Sequence, residues 1–134
     1  MDKGIELEVK HKFDDQWKSY FNYTFESGEL TSDGESERNW SIPKHLMHFG
    51  VENNLGKLST NLDFNYVSER QKVNSTTGEY GSEDAFFTAN LIFNYAFNKN
   101  FSAHFSINNL FDRKFYASEA TDGRNYMFGL NASF

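Results

Sequence analysis

Four histidines, one acidic segment and a few loop rings are the side chains here with chemistry to offer. His45 and His48 form an H-x-x-H spacing that on a helix would bring two imidazoles to one metal ion. On a strand, odd and even positions point to opposite sides, and the pair cannot chelate together. His11 and His104 have no partner visible in sequence. Asp33, Glu35 and Glu37 gather oxygens suited to Ca²⁺, but without the spacing of an EF-hand loop, so a solvated acidic loop is expected. Arg38 and Trp40 in that loop, with Arg70 and Tyr80 in a later one, are the candidates for contact with an external ligand. Binding residues concentrate on loops carried by a rigid scaffold. Asp14 and Asp15 shape a turn. No Ser/His/Asp order, phosphate-cradling glycine loop or paired-carboxylate constellation stands out. The chain has no Cys, which removes disulfides, thiolate metal sites and Cys nucleophiles. The expectation is therefore no enzyme, no metal site and no cofactor.

The elements that carry these residues are read from the period of the apolar positions. In Ile5-Glu6-Leu7-Glu8-Val9-Lys10-His11-Lys12-Phe13 every even position is charged and the odd ones are mostly apolar. Period two is the signature of a strand, because a helix would spread those charges over every face. The pattern recurs to give seven strands, approximately 4–13, 17–26, 45–55, 58–67, 86–97, 101–110 and 124–134. About ten residues is what a tilted, bilayer-spanning strand needs. Connections alternate strictly between tight (Asp14-Asp15-Gln16, Gly56-Lys57, Asn98-Lys99-Asn100) and long and polar (27–43, 69–84, 111–123). All tight turns therefore lie at one end of the sheet and all long loops at the other, the asymmetry of outer-membrane barrels.

Composition is consistent with two unlike faces. Aromatic residues make up 18% of 134 residues, yet the mean hydropathy is −0.70. Length allows one domain or part of one. A net charge of −6 argues against a nucleic-acid partner. No run of about 18 apolar residues predicts a transmembrane helix, and Met1-Asp2-Lys3-Gly4 with the charges after it predicts no signal peptide.

Alternation alone does not say which face is wet. In a soluble sandwich or lipocalin-like barrel the apolar face is the core; in a membrane barrel it meets lipid and the polar face lines the lumen. Three features favour lipid. Rings gather at both ends of the apolar rows, with Phe13, Trp17, Phe97, Phe101 and Phe134 at one end and Phe25, Tyr66, Phe87 and Tyr126 at the other. The opposite face is rich in Asn, Ser and Thr, and the chain stops on an apolar-row residue, Phe134. Seven strands do not close as an ordinary monomer, since single-chain bacterial barrels have even strand numbers and open edges are costly in lipid. The expectation is the end of a longer chain, with Met1 an artefact of truncation. The alternatives are a small outer-membrane barrel closed by an extra strand or by oligomerisation, and a soluble lipid-binding barrel.

Ser106-Ile107-Asn108-Asn109-Leu110-Phe111-Asp112-Arg113-Lys114-Phe115-Tyr116 resembles TonB-dependent outer-membrane receptors, whose penultimate strand typically ends in Asn-Leu-Phe-Asp followed by basic and Tyr residues. The stretch from Gly123 and Arg124 to Phe134 resembles the family's last strand. Gly4-Ile5-Glu6-Leu7-Glu8 and Ile42-Pro43-Lys44-His45 resemble a strand opening and a loop-to-barrel re-entry of the same family. The resemblance implies the C-terminal part of an all-β, antiparallel, up-and-down barrel of about 22 strands, with the plug domain and signal peptide absent from residues 1–134. It implies a place in the bacterial outer membrane and a part in TonB-energised uptake of a bulky, scarce nutrient, most often a ferric siderophore or related chelate. Implied partners are membrane lipid, the plug and remaining strands, the TonB complex and the barrel-assembly machinery. Tyr126, Phe128, Leu130 and Phe134 match the terminal pattern that machinery reads.

Overall fold

The computed structural model describes residues 3–32, 34–73, 77–78, 80–114 and 123–133. Each period-two segment forms a strand. The strands are β1 (Lys3–Lys12), β2 (Trp17–Ser27), β5 (His45–Leu55), β6 (Leu58–Val67), β9 (Phe86–Ala96), β10 (Phe101–Asn108) and β11 (Asn125–Ala132). They pair antiparallel in one seven-stranded sheet of order β1-β2-β5-β6-β9-β10-β11. Every neighbour in the main sheet is the next long strand in sequence, as an up-and-down meander requires.

Register keeps like with like. Phe21 pairs with Phe49 and Phe49 with Phe64, while Asn22 pairs with His48 and His48 with Asn65. A slip of one residue would exchange the two faces, so the alternation itself specifies the pairing. On the apolar side the rings of Phe49, Phe64, Phe87 and Phe111 stack in succession, 6.1, 5.5 and 5.8 Å between centroids. This ladder runs diagonally across three strands to the residue after Leu110.

The sheet has one layer. Soluble domains bury an apolar face against a second layer, and here Ala89 is the one buried apolar residue among those described. Ile5, Phe128 and Leu130 are each more than three-fifths exposed. Among the described residues no second layer covers the apolar row, whose middle is half-buried by its own neighbours and whose edge strands are exposed.

The tight turns are held by side chains that imitate backbone. Asp14 Oδ1 accepts from the N–H groups of Gln16 and Trp17, both at 2.7 Å. Asn98 Oδ1 accepts from those of Asn100 and Phe101 at 2.9 and 3.0 Å. Asp and Asn favour turns for this reason. Gly56 supplies the positive φ, 70°, that its two-residue turn needs.

Two of the long connections contain further strands. β3 (Glu29–Ser32) pairs with β4 (Glu35–Arg38), and β7 (Arg70–Val73) with β8 (Tyr80–Glu83). These four-residue pieces carry no apolar alternation, so nothing in their pattern distinguished them from polar loop.

Candidate functional site

The loop end of the sheet and its polar face hold the side chains with functional chemistry. At the loop end, the Arg38 guanidinium lies 4.0 Å from the centre of the Trp40 ring, a favourable cation–π distance. Asn39, between them, donates its backbone N–H to the Gly28 carbonyl at 2.7 Å, which draws the β3–β4 hairpin back to the end of β2. The Trp40 carbonyl accepts from the Gln71 N–H at 2.7 Å, joining the first hairpin to the second. Arg70, the residue before Gln71, therefore lies beside the first hairpin. Its Nε donates to Glu83 Oε2 at 2.6 Å, with the Glu83 side chain 8% exposed, and this pair clamps the base of the β7–β8 hairpin. Tyr80 opens β8 with its backbone paired to Val73, and its description ends there. Arg38 and Trp40 thus stand together as a half-buried cation and an exposed ring, whereas Arg70 is engaged by a buried carboxylate.

The Asn109–Asp112 motif forms a knot. Asn109 and Asp112 both have φ of 54°, a left-handed conformation that Asn and Asp tolerate better than other non-glycine residues. The Asn109 side chain uses both ends: Nδ2 donates to the Arg113 carbonyl at 2.8 Å and Oδ1 accepts from the Arg113 N–H at 2.9 Å. Its backbone N–H donates to Asn90 Oδ1 at 3.0 Å, and that of Leu110 to the Ala89 carbonyl at 2.7 Å. Asp112 Oδ1 accepts from the backbone N–H of Arg124 at 2.7 Å. A Cβ on Gly123 would overlap that carboxylate oxygen. The motif therefore ties the end of β10 to the start of β11, and Phe111 between them joins the ring ladder. It is Arg124's backbone that meets the carboxylate.

On the polar face a three-strand cluster surrounds Asp63. Tyr20, Gly50 and Asp63 are successive register partners on β2, β5 and β6. The Tyr20 ring lies across Gly50, where a Cβ would collide with it, and its hydroxyl donates to Asp63 Oδ1. His48 Nε2 sits 3.3 Å from the same oxygen, with its ring edge-to-face to Tyr20 at 5.2 Å. The His104 ring lies over Gly129 in the same way on β10 and β11. Sequence reading missed Tyr20 and Asp63, although a lone ring in a polar row was a legible signal.

His45 and His48 lie on opposite faces, as the strand period requires. His45 Nδ1 is 2.8 Å from the Tyr23 hydroxyl among the outward rings. No group of three or more His, Asp or Glu side chains converges among the described residues. Tyr126, Phe128 and Leu130 project from β11, well exposed. Phe134 and Tyr116 lie outside the described residues.

Comparison with known proteins gives the same architecture. A family model described as TonB dependent receptor-like, beta-barrel, matches residues 3–110. A ferric-pyoverdine BN7/BN8 receptor of Pseudomonas putida is 27% identical over 98% of this chain, which covers 17% of that receptor. Among solved structures, the FpvA receptor of Pseudomonas aeruginosa bound to a heterologous pyoverdine aligns over 99% of this chain and 19% of its own, with 20% identity and a TM-score of 0.81. The copper transporter OprC aligns over 99% of this chain and 23% of its own, with 20% identity and a TM-score of 0.80. The chain spans less than a quarter of the length of each of these relatives.

Proposed function

Because the chain belongs to the TonB-dependent receptor β-barrel family, whose place is the bacterial outer membrane, we propose that it forms part of the wall of a receptor for energised uptake of a metal chelate, a ferric siderophore being the leading class. The observation that carries this reading is the single-layer sheet with one apolar row left open and one polar row opposite. Such a sheet is stable with lipid on the first face and a wet, plugged lumen on the second. The ferric-pyoverdine receptor among its relatives supports the choice of cargo.

In this reading the segment contributes three things. The strands with their ring-lined outer face are the lipid wall, with aromatic residues toward both water interfaces. The Asp63 cluster and its Asn and Ser neighbours line the lumen against the plug carried by the rest of the receptor. The loop hairpins present Arg38 and Trp40 to ligand arriving from outside, a cation and a ring suited to an anionic, aromatic-bearing chelate. Arg70 holds its hairpin in shape. Tyr126, Phe128, Leu130 and Phe134 form the terminal pattern for barrel assembly. The TonB complex acts through the N-terminal portion of the receptor, and no catalytic step or resident cofactor falls to this segment.

Uptake of radiolabelled iron tests the proposal. Cells lacking the full-length receptor should lose accumulation of at least one ferric siderophore, and an uncoupler should abolish that uptake in complemented cells while surface binding persists. Unchanged uptake of every ferric chelate tried in the deletion strain would overturn it.

A further inference from the structure

Trp40 is held by its backbone and shows its ring. Asn39 donates its N–H to the Gly28 carbonyl at 2.7 Å, its Oδ1 accepts from the Ser41 N–H at 3.1 Å, and its carbonyl accepts from the Ile42 N–H at 3.4 Å. Residues 39–42 are therefore a tight turn braced by an Asn oxygen, with Trp40 at its first corner. These bonds fix where the turn begins. The Trp40 peptide is held from outside the turn, by the Gln71 N–H on its carbonyl at 2.7 Å. The ring stays exposed, with the Arg38 guanidinium over it.

The donor stands on a slight support. β7 and β8 pair over four positions, Arg70 with Glu83, Gln71 with Ser82, Lys72 with Gly81 and Val73 with Tyr80. A two-stranded ribbon of that length with little apolar surface is marginal in water. In an antiparallel pair alternate residues turn their N–H groups away from the partner strand. Gln71 spends its own on Trp40, so β7 has β8 on one edge and Trp40 on the other. The residue directly before Gln71 carries the strongest bond of the hairpin, Arg70 Nε to Glu83 Oε2 at 2.6 Å, with the carboxylate buried. Charge-assisted bonds of this kind are stronger than neutral ones, and losing one partner of a buried pair is costly.

We infer that the Arg70–Glu83 pair positions the Arg38–Trp40 pair. It sets affinity for the arriving chelate through the Gln71–Trp40 bond, without touching the chelate itself. The second hairpin is a brace for the first. This role rests on the reading of Arg38 and Trp40 as ligand contacts.

Equilibrium binding to whole cells carrying the full-length receptor tests it, with ferric pyoverdine and ferric enterobactin labelled with radio-iron as probes and an uncoupler present. For the probe that the wild type binds, Glu83→Gln should weaken binding about tenfold, the order of one side chain's ordering at a recognition surface. Arg70→Met should match it, and the double variant should lose no more than either alone, since both remove one contact. The saturating uptake rate in energised cells should stay that of the wild type. Glu37→Gln, at an exposed acid of β4, should leave binding unchanged. In a Trp40→Ala receptor, itself a weaker binder, Glu83→Gln should add nothing. Undiminished binding by Glu83→Gln would overturn the inference. So would additive losses from Arg70→Met and Glu83→Gln, the mark of an Arg70 that meets the chelate directly. Binding of neither probe by the wild type, or full binding by Trp40→Ala, removes the contact reading and the positioning role with it. Weakened binding by Trp40→Ala, with Glu83→Gln still costing its full factor in that background, removes the positioning role alone.

Discussion

The two ends of the sheet solve the same problem, reversing the chain, by different means. At the tight-turn end Asp14 and Asn98 repeat one device, a side-chain oxygen accepting from two successive N–H groups. The device itself is local, and the turns meet the neighbouring strands through single contacts such as Asn54 N–H to the Gln16 carbonyl and Ser133 N–H to the Asn100 carbonyl. At the loop end every connection is individual. The first hairpin is tied to the second through Trp40 and Gln71, the second is clamped by Arg70 and Glu83, and the third is knotted through Asn109, Asp112 and Gly123. Generic turns leave the tight-turn end interchangeable, while the individually held loops give the other end a particular shape.

That contrast predicts a graded series of stability losses, measured by urea unfolding of the full-length receptor in lipid vesicles. Gly123→Ala should cost most, about 2–3 kcal/mol, because its Cβ meets the Asp112 carboxylate and both overpacking and a lost hydrogen bond follow. Asp112→Ala should cost less alone, and the double variant less than the sum, since both act on one contact. An additive result would break the knot. On the polar face, Gly50→Ala should cost about 1–3 kcal/mol by displacing the Tyr20 ring, and Tyr20→Phe about 1 kcal/mol for the hydroxyl bond to Asp63. Equal losses would mean that ring placement across Gly50 adds nothing beyond the hydroxyl. Asp14→Ala should be smallest, about 0.5–1 kcal/mol. A loss there matching Gly123→Ala would erase the distinction between the two ends.

Some of this was written openly in the chain. The alternation Ile5-Leu7-Val9 against Glu6-Glu8-Lys10 named a strand, its faces and, with the spacing of the tight turns, its antiparallel neighbour. The Asn-Leu-Phe-Asp segment was visible as a motif, but not as a knot, because its partner atoms are the backbone of Arg124 and the vacant side of Gly123, which sequence pattern does not display. Arg70 read as well as Arg38 for ligand contact, since only the packing of β7 on β8 brings Glu83 to its guanidinium. The β3–β4 and β7–β8 hairpins were hidden for a related reason: ladders of polar residues on a solvated arm need no apolar period.

The sequence by itself determined the strands, their two faces, their order and the asymmetry of their ends, because a side-chain period of two and short connections leave one antiparallel arrangement that keeps apolar with apolar. Tertiary structure alone decided which polar side chains meet. Tyr20 reaches Asp63 only because Gly50 lies between them in register, and the His45 ring meets those of Tyr23 and Phe25 only because Ser68 holds the His45 backbone at the rim. Pairing across strands joins residues more than forty positions apart in the first case, and no local pattern carries that distance.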